Sequence, residues 1–288
     1  MKNIYLLLSF AIISCNSTSQ DLKEVGDLDL KEASGIEYIT GNDLLWTIED
    51  QGNDNILYGL DTTGKTSAAI TITNVKNNDW EDITSDKEGN IYIGDFGNNK
   101  NDRQDLAIYK IDKADLSGKT AQASAIINFS YPEQTEFPPK KSQRVFDVEA
   151  FFEKEGNFYL FTKNRSSKFN GSLSIYKVPN QRGSHKAKLI GHLTTCNLYK
   201  KCAVTAADIS PDGKTVVLLS ADKVYTITGF TGDDYAGGTM TTHNLGHFSQ
   251  KEGLCFKDDN TIIIADEKDK KTGGKLYEIK LSDLKAKP

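Results

Sequence analysis

Short apolar runs rich in β-branched and aromatic side chains recur along the chain, separated by turns that contain Gly or Asp. That pattern predicts buried strands joined by hairpins, not helices. Five runs stand out: Leu44-Leu45-Trp46-Thr47-Ile48, Ile91-Tyr92-Ile93-Gly94, Phe158-Tyr159-Leu160-Phe161, Val216-Val217-Leu218-Leu219 and Ile262-Ile263-Ile264-Ala265. Each follows a unit holding an acidic residue among apolar ones: Ser34-Gly35-Ile36-Glu37, Asp79-Trp80-Glu81-Asp82-Ile83, Phe146-Asp147-Val148-Glu149-Ala150, Thr205-Ala206-Ala207-Asp208 and Gln250-Lys251-Glu252-Gly253-Leu254. A third strand then carries a tyrosine in register, at Tyr58, Tyr109, Tyr176, Tyr225 and Tyr277. A fourth is predicted over residues 68–73, 123–129, 187–193 and 239–245. Residues 114–119 read as a turn.

The fifth unit has no fourth strand, whereas residues 22–30 alternate weakly and belong to no unit. The repeats predict an all-β propeller of five four-stranded blades, its ring closed by an N-terminal strand that completes the last blade. The acidic residues Glu37, Glu81, Glu149, Asp208 and Glu252 recur at intervals of 44, 68, 59 and 44 residues. The two long intervals leave room for insertions or for a sixth blade.

In such a blade the first strand lines the channel, and its beginning lies beside the end of the antiparallel second strand. The acids would then ring one channel mouth, with Asp208 matching either Glu81 or Asp82. Converging carboxylates repel one another and must protonate or find a cation. Ca²⁺, a hard cation with six to eight oxygen ligands, answers that need. The candidate metal set is Glu37, Glu81, Asp82, Glu149, Asp208 and Glu252; the plainer alternative is a solvated acidic rim. His185, His192, His243 and His247 stand apart from the acidic repeats, which disfavours zinc.

Ends of second strands add Glu49, Asp50, Asp95, Asp222, Asp266 and Glu267. Lys163, Arg165 and Lys168 follow the second strand of the third unit and, with Asn98, Asn99 and Arg103, are candidates to bind phosphate or carboxylate opposite the acidic ring. A solvated basic loop is the alternative. Asp147 and Glu149, two apart on a strand, point the same way, as an acid/base pair or a metal site requires. The candidate ligand-binding set is Asp50, Asp95, Asp147, Lys163, Arg165 and Asp266.

Residues 1–14 carry Lys2 and then an apolar run, which reads as a secretory signal too short to span a bilayer as a mature helix. The run ends Ile12-Ile13-Ser14-Cys15, which resembles a bacterial lipobox and implies that Cys15 is lipidated. The expected organisation is a signal peptide over 1–14, a lipidated cysteine and tether over 15–21, and a propeller over 22–288. The expected location is the cell envelope, anchored to a bacterial membrane with the propeller facing the periplasm or exterior. In that oxidising setting Cys196 and Cys202, flanking a short polar loop, are candidates for a disulfide. Cys255 lies in an apolar strand and reads as core.

Hydrophobic residues make up 38% and charged residues 26%, enough apolar material for a core. Lys+Arg number 35 against Asp+Glu 40, a net charge of −5 with no basic cluster, which argues against a nucleic-acid partner.

The Glu32-Ala33-Ser34-Gly35-Ile36-Glu37, Asp79-Trp80-Glu81-Asp82-Ile83, Gly94-Asp95-Phe96-Gly97-Asn98-Asn99 and Lys251-Glu252-Gly253-Leu254 motifs resemble those of the bacterial SdiA-regulated family. The resemblance spans roughly residues 25–285. It implies a five-bladed propeller related to NHL repeats, with calcium at its axis, and no established activity. The fourth repeat departs from it, with Thr-Ala-Ala-Asp in place of the Glu-Gly type.

Two functions remain open. One is a binding module for a small molecule or protein, consistent with the lack of a Gly-x-Ser-x-Gly elbow. The other is a calcium-dependent hydrolase of the phytase or lactonase kind, acting on the acidic face.

Overall fold

The computed structural model describes residues 22–268 and 272–285. The expected signal segment over 1–14, and the expected lipidated Cys15 and tether over 15–21, lie outside the described residues. No helix among the described residues is long and apolar enough to cross a membrane.

Five antiparallel blades surround a channel. The first strands are Ala33–Tyr38, Trp80–Ser85, Asp147–Lys154, Ala206–Ile209 and Lys251–Asp258. The second strands are Leu45–Glu49, Ile91–Asp95, Asn157–Lys163, Thr215–Ser220 and Thr261–Asp266. The third strands are Ile56–Leu60, Ala107–Ile111, Ser172–Pro179, Lys223–Thr228 and Lys275–Lys280. The fourth strands of the first four blades are Thr66–Ile72, Ala125–Ser130, Lys188–Thr194 and Thr239–Asn244. Each first strand packs against the first strand of the next blade, and the fifth packs back onto the first.

The second strands are apolar on both faces because each blade is sandwiched between neighbours. One hydrophobic cluster fills each of the five gaps between blades. The gap between blades 2 and 3 is aromatic, with Phe96 edge-on to Phe151 at 5.0 Å and Tyr92 edge-on to Phe158 at 5.0 Å. Fully burying each such ring stabilises by about 1.5–3 kcal/mol. Cys255 is buried in the gap between blades 5 and 1.

The N-terminal strand Lys23–Asp27 completes the fifth blade, pairing antiparallel with its third strand from Lys23 opposite Glu278 to Asp27 opposite Lys275. The Lys275 ammonium lies 2.6 Å from both Glu24 and Asp27 and fastens the join.

The long intervals hold no sixth blade. Each sends a short strand back to the preceding blade. Thr120–Ala121 adds in parallel to the outer edge of blade 1, and Gly183–Lys186 adds in parallel to that of blade 2. A 3₁₀ turn at Lys113–Ser117 precedes the first of these. A one-turn helix, Tyr199–Cys202, lies in the loop that the Cys196–Cys202 disulfide closes.

Four first strands carry a β-bulge, at Gly35, Glu81, Glu149 and Glu252. A bulge re-aims one side chain at the start of a strand. In blade 1 that position must be glycine: Gly35 has φ 63°, and a Cβ there would sit 2.7 Å from Asp82 Oδ1 and from the Ile83 nitrogen.

Candidate functional site

The bulges divide the acids into two tiers. Glu81, Glu149 and Glu252 are the bulge residues of blades 2, 3 and 5 and stand together at the mouth where the first strands begin. Glu37 does not join them, because Gly35 holds the bulge of blade 1 and Glu37 lies two residues further down. Asp82 and Asp208 also lie past the mouth. Asp82 Oδ1 accepts from the Ile83 N–H and Oδ2 from the Phe151 N–H of the next blade. Asp208 does the same with the Ile209 and Phe256 N–H groups, so it matches Asp82 and not Glu81.

Glu37, Asp82 and Asp208 therefore form a deeper tier, and the single ring expected from the repeat is two. Burial raises all three carboxyls, Asp208 to about 7, and the charge of Asp208 adds to the rise at Glu37 and Asp82. Glu37 and Asp208 border a cavity of about 410 Å³ at the opposite face, together with Asp86, Glu153 and Asp212.

At the mouth, Asp50, Asp79 and Glu81 each bring a carboxylate oxygen within 4.8 Å of the others, and so do Glu81, Asp147 and Glu149. Asp79 and Asp147 occupy matching places, two residues before Glu81 and Glu149. Lys163 and Arg165 lie inside this cluster, not opposite it. Lys163 is the strand-end partner of Asp147, so the sheet register delivers its ammonium to Glu149. Arg165 pairs with both Asp147 and Glu149 and donates to the Tyr199 hydroxyl. The Asn98 N–H adds a bond of 2.7 Å to Asp147.

The other half of the cluster has no such partners. Among the described residues, no hydrogen-bond donor reaches the side-chain carboxylates of Asp79 or Glu81, although the two residues are only 4% and 6% exposed. Burial pushes Asp79 up to about 7, with Asp50 adding to the rise, and pushes Glu81 well above its ordinary range, with Glu149 and Asp50 adding. Burial likewise raises Asp50. Asp147 is pushed up to about 6 by burial and Glu149, with Arg165 opposing. Burial carries Glu252 up to about 8 against the pull of Lys163. Burial works most strongly against the charges of Lys163 and Arg165, but Glu149 together with Glu252 at Lys163, and together with Asp147 at Arg165, offsets it and holds both above their usual values.

The second-strand carboxylates do another job. The Tyr109 hydroxyl donates to Asp95 at 2.8 Å and the Tyr277 hydroxyl to Asp266 at 3.0 Å; Tyr58 reaches Glu49 at 3.1 Å. Asp95 also accepts from Arg103 at 2.9 Å, from the Asp79 N–H and from Asn78, and Asp266 from the Lys275 N–H. Glu49, Asp95 and Asp266 thus tie strands together within their blades, whereas Asp50, also at a second-strand end, faces the mouth.

The Gly94-to-Asn99 segment serves the mouth directly. A Cβ on Gly97 would lie 2.2 Å from Glu81 Oε1 and 2.5 Å from Asp79 Cγ, so only glycine fits against those two acids. Asp79 was missed in the sequence, although its spacing to Glu81 repeats that of Asp147 to Glu149. Tyr199, Lys200 and Lys251 were missed as well. They line a second cavity, of about 640 Å³, beside the mouth, with Lys163, Arg165 and Glu252. Tyr199 and Lys200 lie on a loop that does not repeat, so no period announces them, and Lys251 opens the first strand of blade 5, where the repeat drew attention to Glu252 instead.

No protein-family model and no curated protein matches the sequence. Solved structures do. The PQQ-bound aldose sugar dehydrogenase from Streptomyces coelicolor aligns over 90% of this chain and 97% of its own, with a TM-score of 0.54 and 10% identity. A gluconolactonase from Xanthomonas campestris aligns over 91% of this chain and 89% of its own, with a TM-score of 0.46 and 10% identity. Virginiamycin B lyase from Staphylococcus aureus aligns over 85% of this chain and 65% of its own, with a TM-score of 0.40 and 17% identity. At these identities the likeness is one of propeller fold.

Proposed function

We propose that this chain is a lipid-anchored envelope propeller of the SdiA-regulated type that holds a calcium ion at its channel mouth and binds a small ligand beside it. The observation that carries the metal is the pair Asp79 and Glu81: two buried carboxylates with no donor, and Asp50 within reach. The donor set is all oxygen, which fits a hard cation such as Ca²⁺ and disfavours zinc. Asp147 and Glu149 are already neutralised by Arg165 and Lys163, so the ion would be held chiefly by Asp50, Asp79 and Glu81. Bound there, it would relieve their mutual repulsion and offer charge to an anionic ligand. Elemental analysis of protein dialysed against calcium, then against chelator, tests this. One equivalent retained by the wild type and lost in Asp79→Asn/Glu81→Gln is expected. No retained metal in the wild type defeats it.

The anchor follows from the Ser14-Cys15 lipobox. Cys15→Ser is expected to move the protein from the membrane to the soluble fraction and to abolish acyl labelling. A single chain binds a bilayer only marginally, so multiple acylation is expected.

One observation favours hydrolysis as a second reading. Glu252, raised to about 8, stays protonated at neutral pH and borders the 640 Å³ cavity, as a general acid requires. Turnover of phosphoesters or lactones that chelator and Glu252→Gln both abolish would favour this reading over binding alone.

A further inference from the structure

We propose that the 640 Å³ cavity beside the channel mouth binds a small monocarboxylate with an apolar body, its head toward Lys200 and Lys251 and its body between Tyr199 and Phe248. The inference deepens the binding-module reading and rests on it, but it does not use the calcium ligands. The volume lies within the range of small-molecule sites.

Lys251 is wholly buried, yet its ammonium meets only neutral acceptors: the Ala221 carbonyl at 3.1 Å, the His247 carbonyl and Nδ1 at 3.1 Å each, and Ser249 Oγ at 2.7 Å. Among the described residues no carboxylate lies within ion-pair distance of it. Its N–H groups are engaged by these neutral acceptors, and Asp222 and Asp266 act on its charge only from beyond ion-pair distance, so an anion in the adjoining cavity would add to a weak counter-charge. His247 must accept from Lys251 through Nδ1, which leaves its proton on Nε2 as a further donor. Lys200, on the disulfide-closed loop, also makes no ion pair among the described residues.

The rim is apolar where the floor is charged. Leu198, Tyr199 and Phe248 are 58%, 36% and 57% exposed and belong to the few large apolar side chains left in solvent. Tyr199 and Phe248 border the cavity, and Leu198 adjoins Tyr199 in sequence. A charged floor beneath an apolar rim selects an amphipathic anion. Glu267 shares the lining, and the cations Lys163 and Arg165 there are already paired with Glu149 and Asp147, which favours a head of one negative charge over a phosphate dianion.

Calorimetric titration with phenylacetate, phenyl phosphate and benzyl alcohol, each in calcium and in chelator, tests the proposal. Phenylacetate is expected to bind saturably under both conditions, at least tenfold more tightly than either of the others. Lys200→Ala, a surface change that leaves the fold intact, and Lys251→Met are each expected to weaken it tenfold or more, and Phe248→Ala severalfold. Three results would overturn it: no saturable heat with phenylacetate, equal binding of benzyl alcohol or phenyl phosphate, or an affinity untouched by Lys200→Ala. Metal retention without phenylacetate binding would sink this inference and leave the calcium reading standing. Phenylacetate binding without metal retention would do the reverse.

Discussion

Asp82 of the second blade accepts the backbone N–H of Phe151 in the third, 3.1 Å away, and so pins one first strand to the next. Asp208 pins the fourth blade to the fifth through Phe256 at 2.7 Å. Removing either carboxylate strands buried donors, at about 1–3 kcal/mol for each N–H left unpaired. Asp82→Ala is expected to lower stability by that order in urea melts, and Asp82→Asn, which keeps an acceptor, by less. Equal midpoints for wild type and Asp82→Ala would refute the pinning role.

The same tier sets a pH dependence. An unfolded aspartate titrates near 4, whereas burial lifts folded Asp208 to about 7. Between those values the folded state binds more protons than the unfolded state, so stability falls as pH rises through the window. Glu37 and Asp82 shift in the same direction. Urea midpoints measured in chelator from pH 4.5 to 7.5 should fall, and Asp208→Asn should flatten part of that slope.

At the mouth, Asp79→Asn/Glu81→Gln is expected to raise the melting temperature in chelator by relieving repulsion, and to blunt the rise that calcium gives the wild type. An ion that binds only the folded state stabilises by about 2.7 kcal/mol at a hundredfold excess over its dissociation constant. Four coincident curves would mean a solvated rim without a metal.

Lys163 neutralises Glu149 in a place where neither is well hydrated. Breaking a buried pair from one side typically costs about 3–5 kcal/mol. Lys163→Met should therefore destabilise strongly, and Lys163→Met/Glu149→Gln should recover much of the loss. A double-mutant cycle with no coupling energy would count against the pair.

Part of this was legible in the chain. The five units, the closing strand and the mouth acids Glu81, Glu149 and Glu252 follow from periodicity, because a repeated bulge leaves a repeated sequence. Glu37 was misplaced because charge was aligned where backbone register decides: the true counterpart of Glu81 is Gly35, which has no charge to align. The in-register tyrosines and the second-strand acids were both visible, but their bond, as between Tyr109 and Asp95, exists only once two strands are paired. Lys163 was placed on the correct face yet on the wrong side of it, since its pairing with Asp147 is a matter of register. The cavity of Lys200 and Lys251 joins strand residues to loops without a period, such as the one that carries Tyr199 and Lys200.

The closing strand separates the two ends of one blade by nearly the whole chain: Glu24 and Lys275 are 251 residues apart. Contacts of such span are slow to form, since loop entropy is lost before any contact rewards it. The N-terminal strand of the propeller, made before every blade, is then the last to find its partner. Until it does, the third strand of blade 5 shows an open edge on which another copy can pair.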